Sequence, residues 1–338
     1  MSAFAVDAAG TLRLLANYPS ATMTTTAAAL DPGARHLFVL GQQGSYAGVF
    51  VYGVDAASGG LTPVAGSPFL TDVVGGGARS FAINAGGTRL YVVQAGVIST
   101  FSINPSSGVL SASADTPVVE SNGFVDLALY SLSLDPQGSF LYVAAQADAP
   151  VFALDAQTGN PTAVPGSPFA IAPSNATLFS TVADPVGGFV YYESVSGGAY
   201  SFTGYKADPA TGALTPIPGG AVAVGGHAQG AYGPYAAIDP SGRFFYAAVG
   251  AGVSTYGIAP GTGVLAPVAG PLVTGANASC VVVDPNSRFV YAGGTGSVSV
   301  LVIDPMAGTL SPVTGSPFNA GASAPAQPLL VNGLAVTP

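Results

Sequence analysis

One turn phrase recurs along this chain and constrains its fold more than any other feature. Residues 26–40 read TAAALDPGARHLFVL and residues 80–93 read SFAINAGGTRLYVV. The phrase returns at 131–144, 180–193, 235–248 and 280–293. Its anchors are Asp31, Asn84, Asp135, Asp184, Asp239 and Asp284. They stand roughly 45–55 residues apart, the spacing of propeller blades.

Each unit reads as four strands. The first is small and apolar (AAAL, SLSL, YAAI). Asp-Pro-x-Gly then turns the chain: Pro presets φ, Gly accepts positive φ and Asp caps its own backbone. The second strand is aromatic and β-branched (HLFVL, RLYVV, FFYAA), and the third is of the kind GVFVYGVD or SVSVLVID. The fourth carries a motif written as LTPVAGSPF at 61–69 and LSPVTGSPF at 310–318. Pro lacks the N–H that a ladder needs, so this strand belongs on an outer edge, with GSPF ending it and shielding it from other chains. Small first strands suit the crowded centre of a ring.

The expected architecture is all-β: one domain over 1–338, a seven-bladed β-propeller of four-stranded antiparallel blades. Six blades are complete between about 24 and 329. The seventh is shared by the termini, with 1–20 giving its third and fourth strands and 330–338 (GLAVTP at 333–338) its first. Its second strand falls upstream of Met1, so the reading expects about 15 further residues there in a longer natural chain, and an export signal before them.

Composition removes several functions. The net charge is −9 with seven Lys and Arg, which leaves no basic stripe for nucleic acid. Mean hydropathy is +0.51, yet no apolar run reaches the length of a membrane-spanning helix. One cysteine, Cys280, excludes an internal disulfide, and two dispersed histidines make no zinc site. No cofactor or metal is expected. Few charges point to an extracytoplasmic protein, periplasmic, envelope-associated or secreted, although no export signal stands in this chain.

Residues that obey the repeat are structural. Asp31, Asp135, Asp184, Asp239 and Asp284 read as caps of the first turn; Asp7, Asp55, Asp155, Asp208 and Asp304 read as caps of the second. Arg35, Arg89, Arg243 and Arg288 share one register and are expected to be exposed charges beside those acids. His36 opens a second strand as a partly exposed residue.

Residues that break the repeat are the site candidates. Arg79 stands where other units have Thr26, Tyr130, Phe179, Pro234 or Ser279. If that ring of positions frames a channel mouth, Arg79 is its cation, suited to a carboxylate or phosphate. Tyr130, Tyr235 and His227, in the long lead AVGGHAQGAYGPY, join it as ligand-binding candidates. Glu120, Asp126 and Glu193 are the off-pattern acids. Arg79, His227, Glu193 and Glu120 are the catalytic candidates.

The units DPSGRFFYAA (239–248) and IDPMAGTLSPVTGSPF (303–318) resemble the bacterial lactonase-like propellers, which include the 6-phosphogluconolactonase-type and YVTN-repeat proteins. The resemblance covers essentially the whole chain. It implies seven blades and, in some members, hydrolysis of a lactone. In the enzymatic branch it implies histidines at the start of an inner strand, before the turn. Here those stretches hold none. The favoured expectation is therefore a non-catalytic binding or scaffold propeller of the cell envelope or exterior, with a small molecule or surface partner. The alternative is a divergent lactonase-type hydrolase.

Overall fold

A computed structural model describes residues 2–18, 23–43, 46–74, 77–121, 123–125, 128–171, 176–226, 234–250, 252–273, 278–294 and 296–320. It is an all-β propeller of antiparallel four-stranded blades. Blade two shows the plan: Ser80–Ile83, Arg89–Gln94, Val97–Ile103 and Leu110–Pro117, paired in chain order. The inner strands of the other blades are Met23–Leu30, Ser131–Leu134, Thr177–Ala183, Ala236–Ile238 and Cys280–Val283.

Neighbouring inner strands are stitched together around the axis. Thr181 N donates to Ser131 Oγ (3.3 Å), Val281 N to Pro234 O (2.8 Å), and Thr26 Oγ1 to Ala78 O (3.2 Å). Small side chains here let backbones approach, as the sequence pattern requires.

The core lies between sheets. Second strands alternate so that one set of side chains packs on the preceding blade and the other on the following one. Tyr142 and Phe140 pack with Val190 and Tyr192 of blade four, whereas Leu141 and Val143 join Tyr91 and Val93 of blade two. Six such clusters are present among the described residues.

The expected turn caps are seen. Asp239 Oδ1 accepts from Phe244 N (2.7 Å) and Arg243 N (2.9 Å). Asp208 Oδ1 accepts from Thr211 N (2.8 Å) and Ala210 N (2.9 Å), and these bonds hold its carboxyl below the usual range.

A second device was not read from the sequence. In blades two to six the glycine closing the third-to-fourth-strand turn abuts the first residue of the preceding blade's second strand. A Cβ on Gly212 would lie 2.6 Å from Phe140 Cδ1, and at φ +73° a side chain is strained as well. Gly108 meets His36, Gly159 meets Arg89, Gly263 meets Phe189 and Gly308 meets Phe244 in the same way.

The blade count among the described residues is six, against the expected seven. What remains is a two-stranded sheet, Ser2–Val6 with Leu12–Asn17. It sits between blades six and one: Gly10 abuts Phe289, Leu15 abuts Gly59, and Tyr18 Oη accepts from Leu61 N (2.9 Å). Ser2 Oγ donates to Ala320 O (2.7 Å). The expected contribution of 330–338 lies outside the described residues.

GSPF does not end the outer strand; it bulges it. In blade one, Leu61–Pro63 pairs with Tyr52–Val54, the chain swings out, and Phe69 pairs again with Val49. Ser67 Oγ accepts from Val51 N (2.9 Å), supplying the acceptor that a bulge takes from the ladder. Ser167 serves Val151 N, and Ser316 serves Val300 N, both at 2.9 Å. The Ser–Pro bonds of these three GSPF motifs are cis.

Two further expectations are corrected. His36 is buried, its Nδ1 3.2 Å from Asp31 Oδ2 and its ring pressed by Gly108 of the next blade. Of the register arginines, Arg288 bonds its turn acid Asp284 (3.0 Å), but Arg89 donates instead to the Gln157 and Thr158 carbonyls of blade three. The neighbouring blade's turn lies within reach of a long side chain at a strand start.

Candidate functional site

The inner strands of blades one to five line a cavity of about 440 Å³. One residue before the inner strands of blades two and three, the ladder continues by a single bond. Arg79 N donates to Val93 O (3.2 Å) and Tyr130 N to Ala144 O (2.9 Å). These bonds fix both residues just ahead of their strands, and both line the cavity.

The Arg79 guanidinium lies over the Tyr130 ring, Cζ 4.6 Å from its centroid. Tyr130 in turn packs on Phe179, centroids 5.0 Å apart and tilted by 50°. Cation, phenol and phenyl thus form one continuous wall contributed by blades two, three and four. Tyr235, nearly fully buried, Tyr200 and Phe81 are the other aromatic residues of the described lining. Arg79 is the one charged side chain among the described lining residues. Arg79 is thereby held beside the cavity as a planar cation, the type of group that pairs with carboxylates and phosphates.

Alanines 27, 28 and 236 line the cavity together with hydroxyls that bond between blades: Ser133 Oγ to Thr181 Oγ1 (3.2 Å), and Leu132 N to Ser80 Oγ (3.4 Å).

The structure therefore brings together Arg79, Tyr130 and Tyr235 of the sequence candidates. It separates two others. Glu193 is fully buried within the strand Phe189–Ser196, opposite Ser180 and Phe202, and does not line the cavity. Second-strand side chains point between blades rather than down the channel. Glu120 belongs to a small loop closed by the Val119–Val125 bridge, where its N–H donates to Phe124 O (2.8 Å), and it too is outside the lining. His227 and Asp126 lie outside the described residues. Sequence reasoning missed Phe179 and Tyr200 as lining residues. Phe179 could have been found, since it shares the register of Arg79 and Tyr130. Tyr200 could not, because it comes from a third strand, Ala199–Ala207, that is longer than its counterparts in most blades.

Among the described residues no cluster of three or more His, Cys, Asp or Glu could hold a metal ion, and no helix is long and apolar enough to cross a membrane.

No family model matches the chain, and no curated protein matches its sequence. Solved structures do resemble it. A "putative 6-phosphogluconolactonase" of Bacteroides uniformis superposes with TM-score 0.74 at 17% identity, over 92% of this chain and 89% of that one. The periplasmic gluconolactonase of Pseudomonas aeruginosa gives 0.70 at 17%, over 93% and 92%. A Lactobacillus plantarum protein gives 0.71 at 16%, over 91% and 89%. At these identities the likeness establishes the lactonase-like propeller fold and nothing finer.

Proposed function

We propose that this chain is a lactonase-type propeller whose Arg79 mouth takes a small lactone, or the carboxylate to which it opens. The single observation that carries the reading is the Arg79 guanidinium, stacked on Tyr130 at the rim of a cavity of ligand size. The likeness to structures named as gluconolactonases supports it. Hydrolysis would join a water oxygen to the carbonyl carbon, break the ring C–O bond and leave one water proton on the released hydroxyl. Arg79 is suited to stabilise the oxyanion of the tetrahedral intermediate and then the product carboxylate.

A second reading is binding without turnover. The described lining favours it, because it contains no carboxylate or imidazole to move a proton. His227 is the proposed general base of the hydrolytic reading, and a ligand contact in the other.

The test is acid release from δ-gluconolactone and from an unsubstituted δ-lactone, measured against the spontaneous rate, with gluconate binding followed by calorimetry. Arg79→Ala should weaken binding about 10–100-fold, as expected for a charge-assisted contact. A rate above background that His227→Ala abolishes supports the hydrolase. Binding without rate supports the second reading. Neither binding nor rate refutes both.

The same reading takes 1–338 as one domain and the two-stranded sheet as the outer half of a seventh blade. The series of Gly–second-strand contacts supports this, since Gly10 continues it onto Phe289 of blade six. An extracytoplasmic location is proposed from the low charge content and the periplasmic neighbour.

A further inference from the structure

The mouth carries more information than its charge. The surface offered to a ligand combines aromatic rings with small side chains. Tyr130 and Phe179 form the wall beside Arg79, Tyr235 and Tyr200 add aromatic surface, and Ala27, Ala28 and Ala236 contribute small apolar ones. Of the hydroxyls lining the shaft, those of Ser80, Ser131, Ser133 and Thr181 already take part in bonds between blades. A polyhydroxylated ligand exchanges its hydrogen bonds with water for bonds with the protein, and each one left unmade costs the desolvation of that group. The described lining meets such a ligand mostly with carbon. A flat ring bearing one carboxylate has the opposite requirements: one cation, a face to stack on and an apolar shaft.

We infer that the Tyr130–Phe179 wall selects an aryl carboxylate, or the aryl lactone that opens to it, over a polyhydroxylated sugar acid. This rests on the reading of the Arg79 mouth given above. It makes Tyr130 and Phe179 specificity-determining residues, while Arg79 supplies the charge recognition common to both ligand types. The wall spans three blades, so its geometry depends on the ring packing rather than on one loop.

The experiment compares two carboxylates on the intact chain by calorimetry: gluconate and the ring-opened acid of dihydrocoumarin, an aromatic lactone. The aryl acid should bind at least about tenfold more tightly, the size expected of an aromatic stack added to its buried area. Tyr130→Ala and Phe179→Ala should each remove most of that preference by weakening the aryl acid alone. Tyr130→Phe, which keeps the ring, should retain it. Thermal melts of each variant identify any loss of fold, and Tyr130→Phe decides the matter if the alanine variants fail to fold. Gluconate binding as tightly as the aryl acid would overturn the inference and leave the Arg79 mouth standing. A preference that survives both alanine variants, or vanishes in Tyr130→Phe, would also overturn it. Failure of both acids to bind would overturn the mouth reading with it.

Discussion

Arg79 and Arg89 stand at opposite ends of one hairpin, and they do different work. Arg89 begins a second strand, on the face where the Asp-Pro-x-Gly turns lie. Its guanidinium donates to Gln157 O (2.8 Å) and Thr158 O (2.9 Å) of the next blade and packs on Gly159. Arg79 precedes the inner strand at the other face, where it stacks on Tyr130 beside the cavity. One face of the ring is a repeated set of caps and close contacts. The other is where blades differ from one another. The difference teaches that position within the repeat, rather than residue type, separates a structural arginine from a candidate ligand contact.

Changes on the turn face should cost stability and leave the mouth intact. The largest effect is expected for Gly212→Ala. Its Cβ would enter the Phe140 ring at positive φ, which predicts a loss of about 2–4 kcal/mol in denaturant titrations. Alkaline pH should come next. Burial raises the phenols of Tyr142, Tyr191 and Tyr246 far above their ordinary value, and that of Tyr291 to about 12. A raised folded value means that the native state holds protons the unfolded chain releases. This stability is complete below about pH 10 and is lost as pH rises through the folded values. A melting temperature that stays level from about pH 10 to 12 would contradict it.

Asp239→Ala removes the acceptor for Arg243 N, Phe244 N and the Ser241 hydroxyl, and should cost about 2 kcal/mol. Ser67→Ala strips the bulge of its substitute acceptor for Val51 N, at about 1 kcal/mol. Arg79→Ala should be smallest, within about 0.5 kcal/mol of the parent in stability, while losing carboxylate affinity. If Arg79→Ala melted as early as Gly212→Ala, the contrast between the two faces would collapse.

Much of the fold was legible because the turn chemistry is local. Asp239 caps the residues that follow it, Pro and Gly bend the same few bonds, and the neighbouring runs alternate or stay small. Arg79 and Tyr130 were legible as a pair because ring position follows from register, and Tyr235 follows Pro234, which holds that register in its unit. Glu193 was misplaced because alternation says that a side chain leaves one face of the sheet, but not what the adjacent blade brings to that face. His36 was misjudged for the same reason: the contact that buries it comes from Gly108, in another blade. GSPF was read as a strand end because Pro forbids a ladder bond. Only pairing on both sides of it, by Pro63 and Phe69, reveals a bulge.

The sequence by itself determined the blade, since caps, turns and strand periodicity act over a few residues and need no partner. The tertiary structure alone decided the interfaces: which glycine meets which ring, that Glu193 is enclosed, and that Arg79, Tyr130 and Phe179 form one wall. Those contacts join residues about fifty positions apart. Their geometry is fixed by how sheets pack around an axis, and no local propensity encodes that packing.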